Sequence, residues 1–223
     1  MKRIIPKGLI VSCQAKKESP LARSEILAAL AHSAELGGAA AIRADGPENI
    51  AAIKKVVSVP IIGICKVETD KGIMITPTLE KALAVAHAGA TMIAFELNVY
   101  SQTEVANLID KLHQLEIAVM ADVATLEEGL VAIDAGCDAV ATTLSGYREA
   151  SGFASPYSPP NLDLVKELVT AAGNKAKVVA EGRYWTGTEI VKALALGAHA
   201  VVIGKGITNP EAITSKLIHD AHL

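Results

Sequence analysis

The 223-residue chain is 51% apolar and carries a formal net charge of −3, so it is long enough to bury one large core in a single domain. Its lysines and arginines are scattered among carboxylates, which excludes the continuous basic face that binds a nucleic-acid backbone. No apolar stretch approaches the ~20 residues of a membrane-spanning helix, and the apolar run at residues 8–11 is too short for the core of a signal peptide.

Eight apolar, β-branched runs alternate along the chain with segments that have the helical spacing of Ala, Leu and Ile. Four of the runs follow a joint of small residues that is typical of a helix end leading into a buried parallel strand. These joints contain Gly37-Gly38, Gly89, Gly136 and Gly197. The predicted strands, in chain order, are residues 9–14, a run ending at Arg43, residues 60–66, a run ending at Glu96, residues 118–122, a run ending at Thr142-Thr143, residues 177–181 and a run ending at Gly204-Lys205.

Polar residues predict where several of the helices begin. Thr125 and Thr186 are each followed three residues later by a glutamate, which is the pattern of a capping box. Asn209 precedes Pro210, as an N-cap residue precedes a proline at the first helical position.

Eight alternating strands and helices form either a closed barrel or an open doubly wound sheet. The barrel is favoured because the glycine-rich dinucleotide fingerprint is absent after the first strand. The sequence therefore predicts one α/β domain over residues 1–223, a (β/α)8 TIM barrel. Two long connections, residues 69–76 and 145–160, are expected to form part of the rim of its active site.

The C-terminal ends of barrel strands meet in one basin, so the polar residues that end these strands are candidates for catalysis or binding. None of the six histidines ends a predicted strand, which disfavours histidine acid/base chemistry and a histidine-rich metal site. The lysine, arginine, glutamine and carboxylates that do end strands suit proton transfer at a carbon next to a carbonyl. We therefore expect an enzyme with neither a metal nor an organic cofactor.

Lys66 is the candidate base. It follows an apolar run, and desolvation lowers the pKa of a lysine from its usual ~10.4 toward neutral pH. Two other roles stay open for it. One is a structural ion pair with Glu68 or Asp70, and the other is a Schiff-base nucleophile, because an amine of low pKa also attacks carbonyl groups.

Glycine and a cation occur together after each of the last two predicted strands, in Gly182-Arg183 and in Gly204-Lys205-Gly206. Glycine lets backbone N–H groups approach an anion, and the loops after strands seven and eight are the usual phosphate site of this fold. Turn formation alone would also explain the glycines, but their pairing with cations favours a phosphate-binding barrel and a phosphorylated small-molecule substrate.

Several segments together resemble one family. They are GLIVSCQ at residues 8–14, AIR at 41–43, VPIIGI at 59–64 with Lys66, MAD at 120–122, TTLSGY at 142–147 and AEGR at 180–183. In order and in register, from about Gly8 to Ile213, they are similar to the N-acetylmannosamine-6-phosphate 2-epimerases of bacterial sialic-acid breakdown. Gln14 and the TTLSGY and AEG segments are specific for that family among phosphate-binding barrels.

The resemblance implies an isomerase, an N-acylglucosamine-6-phosphate 2-epimerase that interconverts N-acetylmannosamine 6-phosphate and N-acetylglucosamine 6-phosphate without a cofactor. Lys66 would remove and return the C2 proton, and Glu181 would open the sugar ring or act on its other face. The implied substrate-binding residues are Gln14, Arg43, Glu96, Asp122, Thr143, Tyr147 and Arg183, and the implied phosphate-binding residues are Gly182, Gly204, Lys205 and Gly206. Gln14 and Arg43 would position the N-acetyl and carbonyl oxygens, and Asp122 would orient Lys66 or bind a hydroxyl.

Three positions depart from the family pattern. Val67 stands in place of an arginine beside the base, Glu96 in place of the shorter aspartate, and Asn209 in place of an arginine that contributes to phosphate binding. Lys205 compensates only in part, because an ammonium is a point charge and a guanidinium is a planar fork. We therefore expect weaker phosphate binding than is usual for the family.

Two other functions stay open beside the epimerase: a Schiff-base lyase or aldolase on a related barrel, and a phosphosugar-sensing barrel without catalysis. The cellular context is also expected from the sequence. Three cysteines without CxxC spacing indicate a reducing compartment, which places the chain in the cytoplasm. The resemblance further implies a homodimer.

Overall fold

A computed structural model describes residues 5–70 and 72–222. The strands are β1 (Gly8–Cys13), β2 (Ala41–Asp45), β3 (Ile61–Ile64), β4 (Lys66–Thr69), β5 (Gly72–Ile75), β6 (Met92–Glu96), β7 (Ala118–Asp122), β8 (Ala139–Ala141), β9 (Lys177–Glu181) and β10 (Ala200–Ile203). The helices are α1 (Ser24–Leu36), α2 (Pro47–Lys54), α3 (Leu79–His87), α4 (Gln102–Gln114), α5 (Leu126–Asp134), α6 (Leu162–Ala172), α7 (Gly187–Ala195), α8 (Lys205–Thr208) and α9 (Pro210–Asp220).

Eight of the strands form a closed parallel barrel in the order β1-β10-β9-β8-β7-β6-β3-β2. The barrel closes because β1 pairs in parallel with both β2 and β10, with Gly8 opposite Ala200 in the second of these ladders. Helices connect the successive barrel strands. The predicted (β/α)8 barrel is therefore confirmed.

The apolar runs of the strands bury side chains on both faces of the barrel wall. Alternate residues of a strand point to opposite faces, so each strand supplies two separate cores. The interior core includes Ile10, Ile62, Met92, Met120 and Val202. The outer core, between the wall and the helices, includes Val11, Ile42, Ile61, Ile93 and Val201. This double burial explains why the strands read as continuous apolar runs rather than as alternating ones.

The glycine joints before four of the strands have the predicted geometry. Each contains a glycine with a positive φ angle between 91° and 113°, where a side chain would be strained. These glycines are Gly38, Gly89, Gly136 and Gly197.

The predicted helix starts are observed, with one difference. Thr186 forms a complete capping box with Glu189, and the side chain of Asn209 caps α9 with Pro210 in its first turn. Thr125 caps α5, but the carboxylate of Glu128 accepts the N–H of Ala124 at 2.5 Å instead of that of Thr125. The capping box predicted at Thr125 is therefore only half formed.

The third barrel strand is shorter than predicted, and Lys66 does not end it. β3 stops at Ile64, because Cys65 exchanges hydrogen bonds with Thr76: its N–H donates to Thr76 Oγ1 at 3.0 Å and its carbonyl accepts the N–H of Thr76 at 2.8 Å. This pairing turns the chain out of the wall into an antiparallel hairpin, in which β4 pairs with β5. Half of the segment predicted as a loop at residues 69–76 is thus strand β5, and Lys66 is the first residue of β4.

No helix within the described residues is long and apolar enough to cross a membrane.

Candidate active site

Arg43 lies at the centre of a buried charge cluster at the C-terminal end of the barrel. Its side chain on β2 is 1% exposed, and its Nη1 and Nη2 atoms donate to the two carboxylate oxygens of Asp122 on β7 at 3.1 and 2.5 Å. Nη1 also lies 3.0 Å from Oε2 of Glu181 on β9. Burial lowers the pKa of Arg43, but the charges of Asp122 and Glu181 outweigh it and raise that pKa overall. Arg43 therefore stays charged and holds two carboxylates in place.

Thr143 links the same two carboxylates. It follows β8, and its Oγ1 lies 2.7 Å from Asp122 Oδ1 and 3.0 Å from Glu181 Oε2. A hydroxyl carries one hydrogen, so it donates to only one of them at a time. A protonated Glu181 satisfies both contacts, because Glu181 then donates to Thr143 while Thr143 donates to Asp122.

The environment of Glu181 favours its protonated form. Desolvation raises the pKa of the Glu181 carboxyl, and the charge of Asp122 raises it further, whereas Arg43, the hydrogen bond from Thr143 and the charge of Lys66 lower it. The net shift is upward. Glu181 is therefore suited to act as a general acid in this cluster.

Lys66 lies within electrostatic range of the same cluster. Its backbone N–H donates to Asp45 Oδ1 at 2.8 Å, and Asp45 is the last residue of β2. The residue as a whole is exposed at the barrel mouth. Even so, desolvation by the surrounding protein lowers the pKa of Lys66, and the charge of Arg43 lowers it further, against the opposing charges of Asp45, Glu181 and Asp122. Lys66 is thus suited to act as a general base.

Gln14 offers an open polar group beside the cluster. It stands one residue after β1, where Nε2 donates to Ser12 Oγ at 2.8 Å. Its Oε1 atom is buried and has no hydrogen-bond partner among the residues that the structure describes, and the same holds for Arg43 Nε. Buried polar atoms are normally paired, so these two are available to a bound molecule.

The loops after β9 and β10 bring two cations together over one aromatic ring. The Arg183 guanidinium carbon lies 5.7 Å from the centroid of the Tyr147 ring, and Lys205 Nζ lies 5.8 Å from the same centroid. Gly182 and Arg183 have positive φ angles of 107° and 61°, which turn the chain sharply after β9. Sequence reasoning named all four residues, and the structure places them side by side.

Arg183 also fastens the neighbouring loop. Its Nη1 donates to the carbonyl of Ser145 at 2.6 Å, and its Nε donates to that of Pro159 at 3.2 Å. These bonds tie the loop at residues 145–160 to the turn after β9. Some donors of Arg183 are thereby used inside the protein, so Lys205 is the freer of the two cations.

Gly204 and Gly206 occupy tight positions at the end of β10. A Cβ at Gly204 would lie 3.2 Å from Ser12 Cβ, and one at Gly206 would lie 3.3 Å from atoms of Ile203 and Trp185. The absence of side chains therefore lets the turn pack closely against its neighbours. Asn209, which replaces the arginine typical of the family, is used as the cap of α9.

Glu96 lies opposite Asp122 in the β6–β7 ladder but does not share the bonds of Asp122 to Arg43. It ends β6 as predicted, but both of its carboxylate oxygens accept hydrogen bonds from Arg148, at 2.9 and 2.8 Å. Sequence reasoning missed Arg148, because a single arginine in a long loop gives no signal. It also missed Asp45, since the strand was predicted to end at Arg43.

The described residues contain no group of three or more His, Cys, Asp or Glu side chains placed to hold a metal ion. The arrangement that is present consists of a lysine of lowered pKa, a carboxyl of raised pKa and a buried arginine, beside a pair of cations. Such an arrangement can move a proton within a bound anionic molecule.

The relatives of known sequence carry one name. The chain is 40% identical over 211 residues to a protein of Cutibacterium acnes, covering 93% of this chain and 90% of the relative. It is 42% identical over 224 residues to a protein of Caldanaerobacter subterraneus subsp. tengcongensis, covering 96% and 91%. Both relatives are named putative N-acetylmannosamine-6-phosphate 2-epimerase.

Solved structures agree with these relatives. The N-acetylmannosamine-6-phosphate 2-epimerase from Clostridium perfringens superposes with a TM-score of 0.87 at 39% identity, covering 97% of this chain and 94% of that one. A thiamine phosphate pyrophosphorylase from Pyrococcus furiosus has a TM-score of 0.60 at 15% identity, covering 96% of each chain, and so shares the fold alone.

The family model described as putative N-acetylmannosamine-6-phosphate epimerase matches residues 27–222. The matched span includes the charge cluster and the loops after β9 and β10, and leaves out only Gln14 among the predicted site residues. The chain therefore belongs to the N-acetylmannosamine-6-phosphate epimerase family.

Proposed function

We propose that this chain is an isomerase that interconverts N-acetylmannosamine 6-phosphate and N-acetylglucosamine 6-phosphate, an N-acylglucosamine-6-phosphate 2-epimerase. One observation supports the assignment above all. In a chain of this family, a lysine of lowered pKa and a carboxyl of raised pKa share the field of one buried arginine at the barrel mouth.

The proposed chemistry starts with the ring. Protonated Glu181 gives its proton to the ring oxygen while a water molecule takes the proton of the C1 hydroxyl, so that the sugar opens to the aldehyde. Neutral Lys66 then takes the C2 proton, and the electron pair moves onto the C1 oxygen as an enolate. The cation that Lys66 has become, together with Arg43, stabilises this oxyanion. A proton from water then returns to the opposite face of C2, and Lys66 gives up its proton to water. Ring closure by the reverse of the opening step returns a proton to Glu181 and completes the epimerisation.

The two loops after β9 and β10 bind the phosphate in this proposal. Lys205 and Arg183 supply positive charge beside Tyr147, and the turns at Gly182, Gly204 and Gly206 allow backbone N–H groups to approach the anion. Gln14 Oε1 and Arg43 Nε are buried and unpartnered, so they are the groups proposed to meet the N-acetyl and carbonyl oxygens.

The test is solvent exchange at C2. The protein is incubated with N-acetylmannosamine 6-phosphate in D2O, and C2 is followed by proton NMR. We expect deuterium at C2 and formation of the gluco epimer, with no covalent adduct after treatment with borohydride. Absence of both deuterium uptake and gluco product refutes the proposal, and an adduct trapped by borohydride would indicate a Schiff-base lyase instead.

We also propose that the protein acts as a homodimer in the cytoplasm. Three large apolar side chains near the C-terminus support an interface there, namely Ile207 on α8 and Leu217 and Ile218 on α9, which are 40%, 64% and 46% exposed. Apolar side chains exposed together in one region are typical of an interaction surface. Light scattering of the purified protein should give twice the 23.1 kDa mass of the chain, and a monomeric mass would contradict the proposal.

A further inference from the structure

Arg148 and Glu96 join two loops at the rim of the barrel. Arg148 lies in the long loop after β8, and its Nε and Nη2 atoms donate to Glu96 Oε1 and Oε2 at 2.9 and 2.8 Å. The Glu96 side chain is 8% exposed and that of Arg148 is 32% exposed. A two-bond pair of this kind, largely shielded from water, is geometrically specific.

The same pair contacts the β4–β5 hairpin at two backbone atoms. Arg148 Nη2 donates to the carbonyl of Ile73 at 2.8 Å, and Glu96 Oε2 accepts the N–H of Ile75 at 3.3 Å. Both contacts lie on β5. Both oxygens of the Glu96 carboxylate therefore accept hydrogen bonds from protein atoms.

β5 pairs with β4, the strand to which Lys66 belongs. In the hairpin ladder Lys66 lies opposite Ile75, the residue whose N–H is bonded to Glu96. On its other side Lys66 is anchored by the bond from its N–H to Asp45. The hairpin residues are mostly exposed. Among the described residues of its two strands, Ile75 is the only buried one. With so little apolar burial, polar anchors decide where the hairpin sits.

We propose that Glu96 and Arg148 are a positioning pair for the proton transfer, and that they hold the hairpin so that Lys66 faces Glu181 and Arg43. Neither residue touches the reacting atoms. The proposal rests on the proposed function, and it replaces the substrate-binding role predicted for Glu96. It also gives a reason for the departure from the family pattern, because the shorter aspartate would withdraw its oxygens from Arg148 by one methylene.

The first test uses kinetics and a double-mutant cycle. Arg148→Met and Glu96→Gln each remove the pair, and a misplacement of about 1 Å costs up to roughly 100-fold in rate. We expect kcat to fall at least about tenfold, with KM changed less than about threefold, because only the transition state needs the exact position. The double variant should be no slower than either single variant, since both break the same link.

The second test distinguishes positioning from general support of the fold. If the hairpin moves outward, Lys66 regains water and its pKa rises, so the pH limb of kcat/KM that reports Lys66 should move to higher pH in Arg148→Met. The charged groups that face Lys66, namely Asp45, Arg43, Glu181 and Asp122, are unchanged in this variant. Lys175→Met, which breaks an exposed ion pair with Asp134 far from the site, is the matched control and should leave the pH profile unchanged.

Glu96→Asp keeps the negative charge, so it can replace the other variants as a test if they fold poorly. It should show the same fall in kcat. Three results would overturn the proposal: a raised KM with kcat retained, single-variant effects that add in the double variant, or kinetics and a pH profile equal to those of the parent. An inactive parent protein would instead refute the proposed function, so the two failures are distinguishable.

Discussion

Lys66 and Glu181 are shifted in opposite directions by the same cause. Desolvation disfavours charge, so it lowers the pKa of the lysine and raises that of the carboxyl. Both shifts favour the neutral forms, which are the forms that a base and an acid need at the start of the reaction. Arg43 keeps its own charge because two carboxylates face it.

The shift at Lys66 predicts a pH-dependent gain of stability in Lys66→Met. Because the folded pKa lies below the unfolded one, the ammonium destabilises the folded protein fully below the folded pKa, and this effect disappears as the pH rises toward the unfolded value. Lys66→Met should therefore have a higher Tm than the parent at neutral pH, with a difference that shrinks toward alkaline pH. Thermal denaturation at several pH values measures this. Lys166→Met on α6, where the lysine is exposed, should show no such trend.

Glu181→Gln should simplify the pH profile. In the proposed mechanism the parent enzyme needs a protonated Glu181 and a neutral Lys66, so its kcat/KM should follow a bell-shaped curve. Glutamine does not titrate, so the residual C2 exchange of the variant should rise with pH through the pKa of Lys66 and then level off. Exchange that falls with rising pH would mean that Lys66 acts as the ammonium. Glu211→Gln, at an exposed position of α9, should keep the bell-shaped dependence of kcat/KM on pH.

The sequence predicted most residues of the site but not their partners. Lys66, Glu181, Arg43 and Asp122 were found because polar residues that end apolar strands stand out. The use of Arg183 to fasten a loop, and the pairing of Glu96 with Arg148, depend on contacts between residues 24 to 52 positions apart. Such contacts arise only from the three-dimensional path of the long loops, for which no pattern in a single sequence exists.

At the scale of elements, β3 packs against the helices through a glycine. A Cβ at Gly63 would lie 2.6 Å from Ala90 Cβ and 3.1 Å from Ile50 Cδ1. Ala90 cannot move away easily, because its Cβ is attached directly to the backbone of the joint before β6. The wall therefore packs closely against its neighbours at this point.

Gly63→Ala should accordingly lower the free energy of unfolding by about 2 kcal/mol, the cost of overpacking a core. Gly187→Ala is its counterpart, since a Cβ there meets nothing within 4 Å and the residue begins α7. That change should raise the free energy of unfolding by about 0.5 kcal/mol. Urea denaturation measures both values. Equal effects of the two substitutions would contradict the packing described at β3.

The eight barrel strands could be predicted because double burial leaves an unbroken apolar run in each. The hairpin could not. β4 and β5 are mostly exposed and short, so they carry no such run, and the break at Cys65 depends on its bonds with Thr76, eleven residues away. Lys66 stays the candidate base, but it was assigned to the wrong strand.

In the whole molecule, the proposed chemistry and much of the structural tethering lie at opposite ends of the barrel. The charge cluster and Lys205 follow the C-terminal ends of the strands. At the other end His199, just before β10, donates through Nε2 to the carbonyl of Ile5 at 2.7 Å and so ties two parts of the chain 194 residues apart. Barrels of this kind commonly divide function and stability in this way.

One substitution at each end of the barrel should distinguish the effect on catalysis from the effect on stability. Lys205→Met should raise KM roughly tenfold at similar kcat, because a charged hydrogen bond to phosphate contributes about 1.5 kcal/mol in ground and transition states alike. His199→Ala should leave both kinetic constants unchanged and lower the free energy of unfolding by about 1 kcal/mol. Steady-state kinetics and urea denaturation of the two variants give the comparison. A kinetic defect in His199→Ala would contradict the division.

The hairpin gives the molecule one further property. Glu181 belongs to the closed wall, whereas Lys66 belongs to a two-stranded sheet that shares no ladder with that wall. The gap between the proposed proton donor and the proposed proton acceptor therefore depends on a small sheet outside that wall. On warming, catalysis should consequently fade before the barrel melts.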